Sequence, residues 1–152
     1  MQPFSRKVHP LIHCKLNERV PGPLGMRARI LLVDDNHIQS ATRRAILEGC
    51  GREVSIALQG RQALEILSDA ETAQGIGLVI TDHLMPVMSG PEFVAELRQR
   101  GFTVPVVVLS GLPEAEAAYE GLDVVFRLKP FDPSSLIQLV RELLGECMRR
   151  SA

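Results

Sequence analysis

The sequence is poor in aromatic residues and in cysteine. It has no Trp and one Tyr among 152 residues, and aromatic side chains make up 4% of the chain, so any core must be mainly aliphatic. The three cysteines, Cys14, Cys50 and Cys147, form no CxxC pair, which argues against a disulfide framework and a zinc site. We therefore expect isolated thiols in a reducing compartment.

The chain also lacks a long apolar run and a basic excess. No segment approaches the ~20 apolar residues of a membrane span, and Pro10, His13 and Lys15 interrupt the head where a signal peptide would be continuous. Residues 1–26 carry a charge of +3 and residues 27–152 a charge of −4, without the clustered basic face of a nucleic-acid groove. We expect a cytoplasmic protein that binds neither membrane nor nucleic acid directly.

The length and the 45% hydrophobic content are those of one domain with a real core. Residues 1–26 are rich in proline and glycine and show no helical or strand period, which predicts a flexible tail. Met26 directly precedes the first strand-like run, so this tail can lie upstream of the true start. We expect the domain over residues 27–148 and a short tail over 149–152.

Short apolar runs alternate with amphipathic stretches along the domain. The expected strands are 30–33, 54–57, 78–80, 104–109 and 124–126. Runs such as Val106 to Leu109 do not alternate with polar residues, which is typical of strands covered on both faces.

Helical patterns lie between these runs. The expected helices are about 38–47, 63–67, a stretch that opens with Ser89 and Pro91, and a last one with Asp132 as N-cap and Pro133 in its first turn. Five alternating units predict an α/β fold, a (βα)5 doubly wound parallel five-stranded sheet.

Polar residues follow four of the apolar runs. They are Asp34 and Asp35 after the first run, Asp82 after the third, Ser110 after the fourth and Lys129 after the fifth. In an open parallel sheet, ligands bind beyond the carboxyl ends of the strands, near the point where strand order reverses. We therefore expect these side chains to converge on one pocket.

Three carboxylates at one strand edge repel each other and need a cation or a proton. Mg²⁺, or Mn²⁺ in its place, suits such oxygen ligands and still accepts a phosphoryl oxygen. Asp82 can then attack phosphorus as a nucleophile, while the Lys129 ammonium and the Ser110 hydroxyl contact phosphoryl oxygens. Each residue alone has a plainer explanation as a helix cap, a turn or a solvated strand end. The whole set in order indicates a phosphoryl site.

These motifs resemble the receiver domains of bacterial response regulators in two-component signalling. The motifs are the Asp34-Asp35 pair, the loop 82–90 (DHLMPVMSG), Ser110-Gly111 and Lys129-Pro130-Phe131, and the resemblance spans about Arg27 to Leu144. It implies the flavodoxin-like strand order 2-1-3-4-5, for which such receivers are themselves a standard example.

The resemblance also implies a ligand set and partners. Asp35 would bind Mg²⁺ directly and Asp34 mostly through water, with Asp82 and the backbone carbonyl of Leu84 completing the protein ligands. A sensor histidine kinase or a histidine phosphotransfer protein would supply the phosphoryl group, and a downstream protein would read the result. The chain would assist its own phosphorylation and dephosphorylation without being an enzyme in the usual sense.

Two further residues are implied by the same resemblance. Phe126, three residues before Lys129, matches the switch aromatic that turns inward when the hydroxyl at Ser110 moves toward the phosphoryl group, which is a population shift driven by new contacts. The lysine–proline bond of the family is usually cis, so Pro130 is a cis-proline candidate.

The sequence departs from the commonest pattern of the family in two ways. The 19 residues from Ser110 to Lys129 are a few too short, so we expect the helix around Pro113–Tyr119 to be short by about a turn. Leu84 and Leu112 are apolar where many receivers carry polar residues that help a water attack the phosphoryl group, which predicts slow self-dephosphorylation.

Because the chain ends at Ala152, soon after the last helix, we expect a stand-alone receiver that is a monomer or a weak dimer. The alternatives are a fragment of a larger regulator or hybrid kinase, and a receiver-like binding module that works without phosphorylation. A metal-dependent phosphatase on a similar sheet would carry an Asp-x-Asp motif after the first strand and a cap insertion, and the sequence has neither.

Overall fold

The computed structural model of the protein describes residues 28–145. The predicted tails, residues 1–26 and 149–152, lie outside the described residues, as do both predicted domain boundaries and the thiols of Cys14 and Cys147. The remaining cysteine, Cys50, is half-buried and carries a free thiol. No helix within residues 28–145 has the length and apolar character needed to cross a membrane.

Strands and helices alternate along the described chain. The strands are β1 (Arg29–Val33), β2 (Val54–Ala57), β3 (Ile76–Asp82), β4 (Val106–Ser110) and β5 (Val125–Leu128). The helices are α1 (His37–Gly49), α2 (Gly60–Ser68), α3 (Ala70–Ala73), α4 (Gly90–Gln99) and α5 (Pro133–Leu144), with a 3-10 helix (Pro113–Tyr119) between β4 and β5.

The five strands form one parallel sheet in the order β2-β1-β3-β4-β5. This confirms the predicted fold class and strand order. The order reverses between β1 and β3, so the ends of these two strands flank the crevice in which such sheets bind ligands.

Alternating strand side chains supply two apolar layers, one on each face of the sheet. On one face, strand residues such as Leu31, Val79 and Val108 pack against helices α2 and α4, with Phe93 as the largest buried side chain. On the other face, Ile30, Leu32, Ile80 and Leu109 are among the strand residues that pack against helices α1 and α5. The sheet is thus covered on both sides, which explains its continuous apolar runs.

Side chains cap the helices that flank the crevice. Asn36 caps α1 through a hydrogen bond from the backbone N–H of Gln39. Ser89 caps α4 in a reciprocal capping box with Glu92, and Asp132 caps α5, with Pro133 at its first position. The predicted starts of the last two helices are confirmed, so local sequence sets where these helices begin.

Several element boundaries differ from the predicted ones by a few residues, as in β3, which spans Ile76–Asp82 against the predicted 78–80, and β5, which spans Val125–Leu128 against 124–126. Three further differences concern the local structure of the chain. Strand β4 begins after Pro105, which has no N–H to donate, whereas the prediction began at Val104. The short helix α3, capped by Asp69, was not predicted.

The third difference is the 3-10 helix Pro113–Tyr119, held by i to i+3 hydrogen bonds such as Ala115 N–H to Leu112 O. A 3-10 helix rises ~2.0 Å per residue against ~1.5 Å in an α-helix, so it spans a short connection with fewer residues. The region between β4 and β5 is short, as predicted, and it spans its distance as a 3-10 helix instead of a shortened α-helix.

Candidate functional site

The predicted site residues lie at the carboxyl edge of the sheet. Asp34 directly follows β1, Asp82 and Ser110 are the last residues of β3 and β4, and Lys129 directly follows β5. Strand pairing continues to this edge, since Asp82 is in register with Leu109. Parallel strands thus place residues from distant parts of the sequence side by side.

Three carboxylates form the centre of the site. Asp34, Asp35 and Asp82 each offer an oxygen, and these oxygens all lie within 4.8 Å of one another. Asp34 and Asp82 are buried, at 1% and 6% exposure, while Asp35 is exposed. The backbone N–H of Asn36 donates to Asp34 Oδ1 over 2.9 Å, which fixes that carboxylate at the start of α1.

Two cations face these carboxylates. The Lys129 ammonium lies 3.0 Å from Asp82 Oδ1. The Arg43 guanidinium, from α1, places Nη1 2.8 Å from Asp34 Oδ2 and 3.8 Å from Asp82 Oδ1. Within the described residues Asp82 Oδ1 is buried and meets no partner in strict hydrogen-bond geometry, but the ammonium of Lys129 at 3.0 Å still favours its ionised form and by itself lowers the pKa of Asp82.

The balance of these charges leaves Asp82 undercompensated. Burial and the neighbouring Asp34 carboxylate raise the pKa of Asp82 from 3.8 to about 6, against the opposing effect of Lys129 and Arg43. Its ionised form therefore gains from a further cation.

The donor set fits a hard divalent ion. Carboxylate oxygens are the ligands that Mg²⁺ and Mn²⁺ take in proteins, and the three carboxylates of the site each bring an oxygen within 4.8 Å of the others. Asp34, Asp35 and Asp82, predicted as ligands, are brought together in the structure. Leu84, whose carbonyl was predicted as a ligand, lies in the loop after β3 and is 67% exposed.

The Ser110 hydroxyl is engaged with its own loop. Ser110 is buried, and its Oγ accepts a 2.9 Å hydrogen bond from the backbone N–H of Leu112. The peptide bond between Lys129 and Pro130 is cis. Lys129 N–H donates to the backbone carbonyl of Ser110 over 2.8 Å, which ties the ends of β4 and β5 together.

An aromatic chain leads from the carboxylates toward β5. His83, the residue after Asp82, shares a 2.8 Å hydrogen bond between its Nδ1 and the Tyr119 hydroxyl. Tyr119 is the last residue of the 3-10 helix, and its ring centroid lies 6.0 Å from that of Phe126 in β5. Burial lowers the pKa of His83, which favours the neutral imidazole. The half-buried Phe126 is thus linked to Asp82 through two intermediate rings.

Sequence reasoning missed Arg43, Gln39 and the His83–Tyr119 pair. Gln39 Oε1 accepts from both Arg43 Nη2, at 3.4 Å, and Lys129 Nζ, at 3.3 Å, and so joins the two cations. Helical spacing contained a signal, because Gln39 and Arg43 are four residues apart on one face of α1. However, Arg43 is followed by another arginine, Arg44, and a pair of adjacent arginines in a helix usually indicates exposed surface charges.

Comparisons with known proteins agree with this geometry. The family model of the response regulator receiver domain matches residues 30–141. The alkaline phosphatase synthesis transcriptional regulatory protein SphR of Synechococcus elongatus is 30% identical over 88% of this chain and 55% of its own length. The response regulator MprA of Mycolicibacterium vanbaalenii is 33% identical over 78% of this chain and 51% of its own length. The chain thus spans about half the length of these curated relatives.

Solved structures show the same fold. The chemotaxis protein CheY4 of Vibrio cholerae is 30% identical with a TM-score of 0.67, over 78% of this chain and 99% of that one. The signal receiver domain of a signal transduction histidine kinase from Syntrophus aciditrophicus is 28% identical with a TM-score of 0.70, over 82% of this chain and 96% of that one.

Proposed function

The chain belongs to the response regulator receiver family, the signalling domains of two-component systems, and on that basis we propose that it accepts a phosphoryl group on Asp82. The observation that carries the proposal is the Asp82 carboxylate itself. It is buried beside Asp34 and Asp35 and faces the Lys129 ammonium at 3.0 Å.

Asp34, Asp35 and Asp82, with the backbone carbonyl of Leu84, would hold Mg²⁺ or Mn²⁺. The bound ion would neutralise the carboxylates and the charge of the incoming phosphoryl group. This assignment rests on the oxygen donor set and on the undercompensated charge at Asp82.

A phosphohistidine on a sensor histidine kinase or a histidine phosphotransfer protein is the proposed donor. An Asp82 carboxylate oxygen forms a P–O bond as the donor's P–N bond breaks, and the electron pair stays on the imidazole nitrogen, which takes up a proton. Lys129 offsets the charge on a phosphoryl oxygen from its position beside Asp82. The chain's own residues contribute positioning and charge stabilisation, without a catalytic cycle of their own.

Ser110 and Phe126 are the proposed switch. To reach a phosphoryl oxygen, the Ser110 hydroxyl must give up its hydrogen bond from Leu112 N–H, and this rearranges the loop that leads into the 3-10 helix. Phe126 lies behind that helix, against Tyr119. A downstream protein would read the changed surface of the 3-10 helix and β5. Cytoplasmic location, a monomeric or weakly dimeric state and a stand-alone receiver stay predictions.

Labelling by a small phosphodonor tests the phosphoacceptor. With acetyl phosphate and Mg²⁺, we expect the intact mass of the full chain to rise by one phosphoryl group, and chelation of Mg²⁺ to prevent the increase. Asp82→Asn should abolish the label. Asp69→Asn is the matched control, because Asp69 is exposed and asparagine caps a helix as well as aspartate does.

Two outcomes would contradict the proposal. A label that persists in Asp82→Asn places the acceptor at another residue. A wild-type chain that neither binds Mg²⁺ nor takes the label is a receiver-like binding module that works without phosphorylation. Continuous release of phosphate from a phosphate ester would instead favour the phosphatase alternative.

A further inference from the structure

The guanidinium of Arg43 lies between two of the three carboxylates of the site. Its Nη1 donates to Asp34 Oδ2 over 2.8 Å and stands 3.8 Å from Asp82 Oδ1. Arg43 comes from the middle of α1, and its side chain is 16% exposed. It is therefore an inward-facing charge at the acidic site.

We propose that Arg43 is a resident counter-cation, which a divalent ion must displace from Asp34 in order to bind. This inference rests on the proposed function, because it concerns the metal of the same site. Both oxygens of Asp34 are engaged, Oδ1 by the backbone N–H of Asn36 and Oδ2 by Arg43. An incoming ion therefore meets a carboxylate that is already paired and a positive charge that repels it.

The Arg43 guanidinium has a second hydrogen-bond partner and access to solvent, so it can leave Asp34. Its Nη2 lies 3.4 Å from Gln39 Oε1, four residues earlier on the same helix, and its side chain reaches solvent. The guanidinium can swing away from Asp34 and keep this contact with Gln39, as long side chains with an exposed head commonly do. Gln39 Oε1 also accepts from Lys129, so release of Arg43 alters the surroundings of both cations.

Arg43 thereby acts as a positioning residue that sets metal affinity. Without metal, it offsets the repulsion between Asp34 and Asp82. With metal, its charge opposes the ion and weakens binding. A purely structural arginine that only anchors α1 to β1 would change the stability of the fold but not the affinity for Mg²⁺.

Calorimetric titration of Mg²⁺ into the full chain separates these roles. Removing the charge with Arg43→Gln should tighten Mg²⁺ binding on the order of tenfold, because one nearby repulsive charge is lost in a partly buried site. Arg44→Gln is the matched control, since it removes the same charge from the same helix at an exposed residue paired with Glu48. Its effect should stay within about twofold. Arg43→Lys keeps the charge and should stay closer to the wild type than to Arg43→Gln.

A second measurement needs no variant. In the ¹⁵N-labelled wild-type chain, saturating Mg²⁺ should shift the Arg43 side-chain Nε–Hε resonance and speed its hydrogen exchange with water as the guanidinium leaves Asp34, while the resonance of Arg44 stays unchanged. An unmoved Arg43 resonance overturns the proposal, as does an Arg43→Gln variant that binds Mg²⁺ no more tightly than the wild type. If neither the wild type nor Arg43→Gln binds Mg²⁺, the proposed function fails as well, and the two failures are thus distinct.

Discussion

At the scale of single residues, the pKa of Asp82 is higher than that of an exposed aspartate. Burial, followed by the charge of Asp34, raises its pKa to about 6. Between the ordinary value of 3.8 and about 6, the folded protein binds more protons at this residue than the unfolded chain does. Ionised Asp82 therefore lowers the stability of the metal-free protein, increasingly so as the pH rises through this range.

Replacing this carboxylate should stabilise the metal-free fold. In the presence of a metal chelator at pH 7, we expect Asp82→Asn to raise the free energy of unfolding by about 1 to 2 kcal/mol. This is less than the full pKa shift implies, because solvent screens the site. The gain should fade as the pH falls through 3.8 and vanish well below it, where Asp82 is protonated in both states. Urea unfolding across this pH range measures it. A variant that is less stable than the wild type at pH 7 would show that the ion pair with Lys129 outweighs burial.

Two leucines near the proposed acceptor give a second prediction at this scale. Leu84 and Leu112 are 67% and 39% exposed, and their side chains have no hydrogen-bonding group to offer a water near Asp82. We expect the phosphorylated chain to lose its label slowly, over minutes or longer, and Leu84→Asn to shorten that lifetime by about tenfold. Intact-mass measurements over time follow the loss. A wild-type lifetime of only seconds contradicts this prediction.

The sequence predicts that the acidic residues and Lys129 lie at strand ends, because each comes at or shortly after the end of an apolar run and the end of a strand is a local property. It does not predict Arg43, because the face that a helical residue presents depends on how the helix docks against the sheet. It also misses the His83–Tyr119 hydrogen bond, since these residues are far apart in sequence and only the turn of the 3-10 helix brings them together.

At the scale of elements, Tyr119 joins the 3-10 helix to the end of β3. Its hydroxyl meets His83 Nδ1, and its ring packs in the apolar layer that faces α2 and α4. Gly90, at the start of α4, leaves room for this contact. A Cβ on Gly90 would collide with the Tyr119 hydroxyl and lie 3.0 Å from the backbone carbonyl oxygen of Asp82. The 3-10 helix, the loop after β3 and the start of α4 are therefore packed as one unit.

A methyl group at Gly90 should disturb this unit. We expect Gly90→Ala to lower the free energy of unfolding by about 2 kcal/mol, because the tyrosine and a rigid backbone must both shift. Gly49→Ala is the control, since a Cβ there meets nothing within 4 Å and alanine favours a helix, so its effect should be neutral or slightly stabilising. Thermal unfolding followed by far-UV circular dichroism compares the two. If Gly90→Ala and Gly49→Ala were equally stable, the contacts around Tyr119 would be able to rearrange without a measurable cost.

Helix starts were predictable where a capping residue stands beside a proline, as with Asp132 and Pro133. The type of the helix between β4 and β5 was not. Both helix types accept residues such as those of Pro113–Tyr119, and the choice depends on the distance that the connection must span. That distance is set by the sheet and by Tyr119, which are contacts that a local pattern does not contain.

At the scale of the whole molecule, the sheet separates two apolar layers that share no side chains. Val94, in α4, is buried in one layer, and Val140, in α5, is buried in the other. The order of strands and the two-sided burial were both foreseeable, because runs such as Val106 to Leu109 have no polar alternation.

The separation predicts additive effects on stability. Val94→Ala and Val140→Ala should each cost about 2 kcal/mol in the free energy of unfolding, through lost burial and a small cavity. The double variant should cost the sum within about 0.5 kcal/mol, because the two sites lie on opposite faces and have no common partner. Urea unfolding by circular dichroism is suitable, since the chain has no Trp for fluorescence. A clear departure from the sum would reveal coupling through the sheet.

The placement of the site residues on separate parallel strands also has a consequence in time. Asp82 is synthesised well before Lys129, and the two meet only when β5 has paired with β4. While the ribosome is still making the chain, the carboxylates of β1 and β3 can assemble, but the lysine that faces Asp82 has yet to emerge. Competence to receive a signal should therefore appear in a single late step of synthesis, once almost the whole domain has left the ribosome.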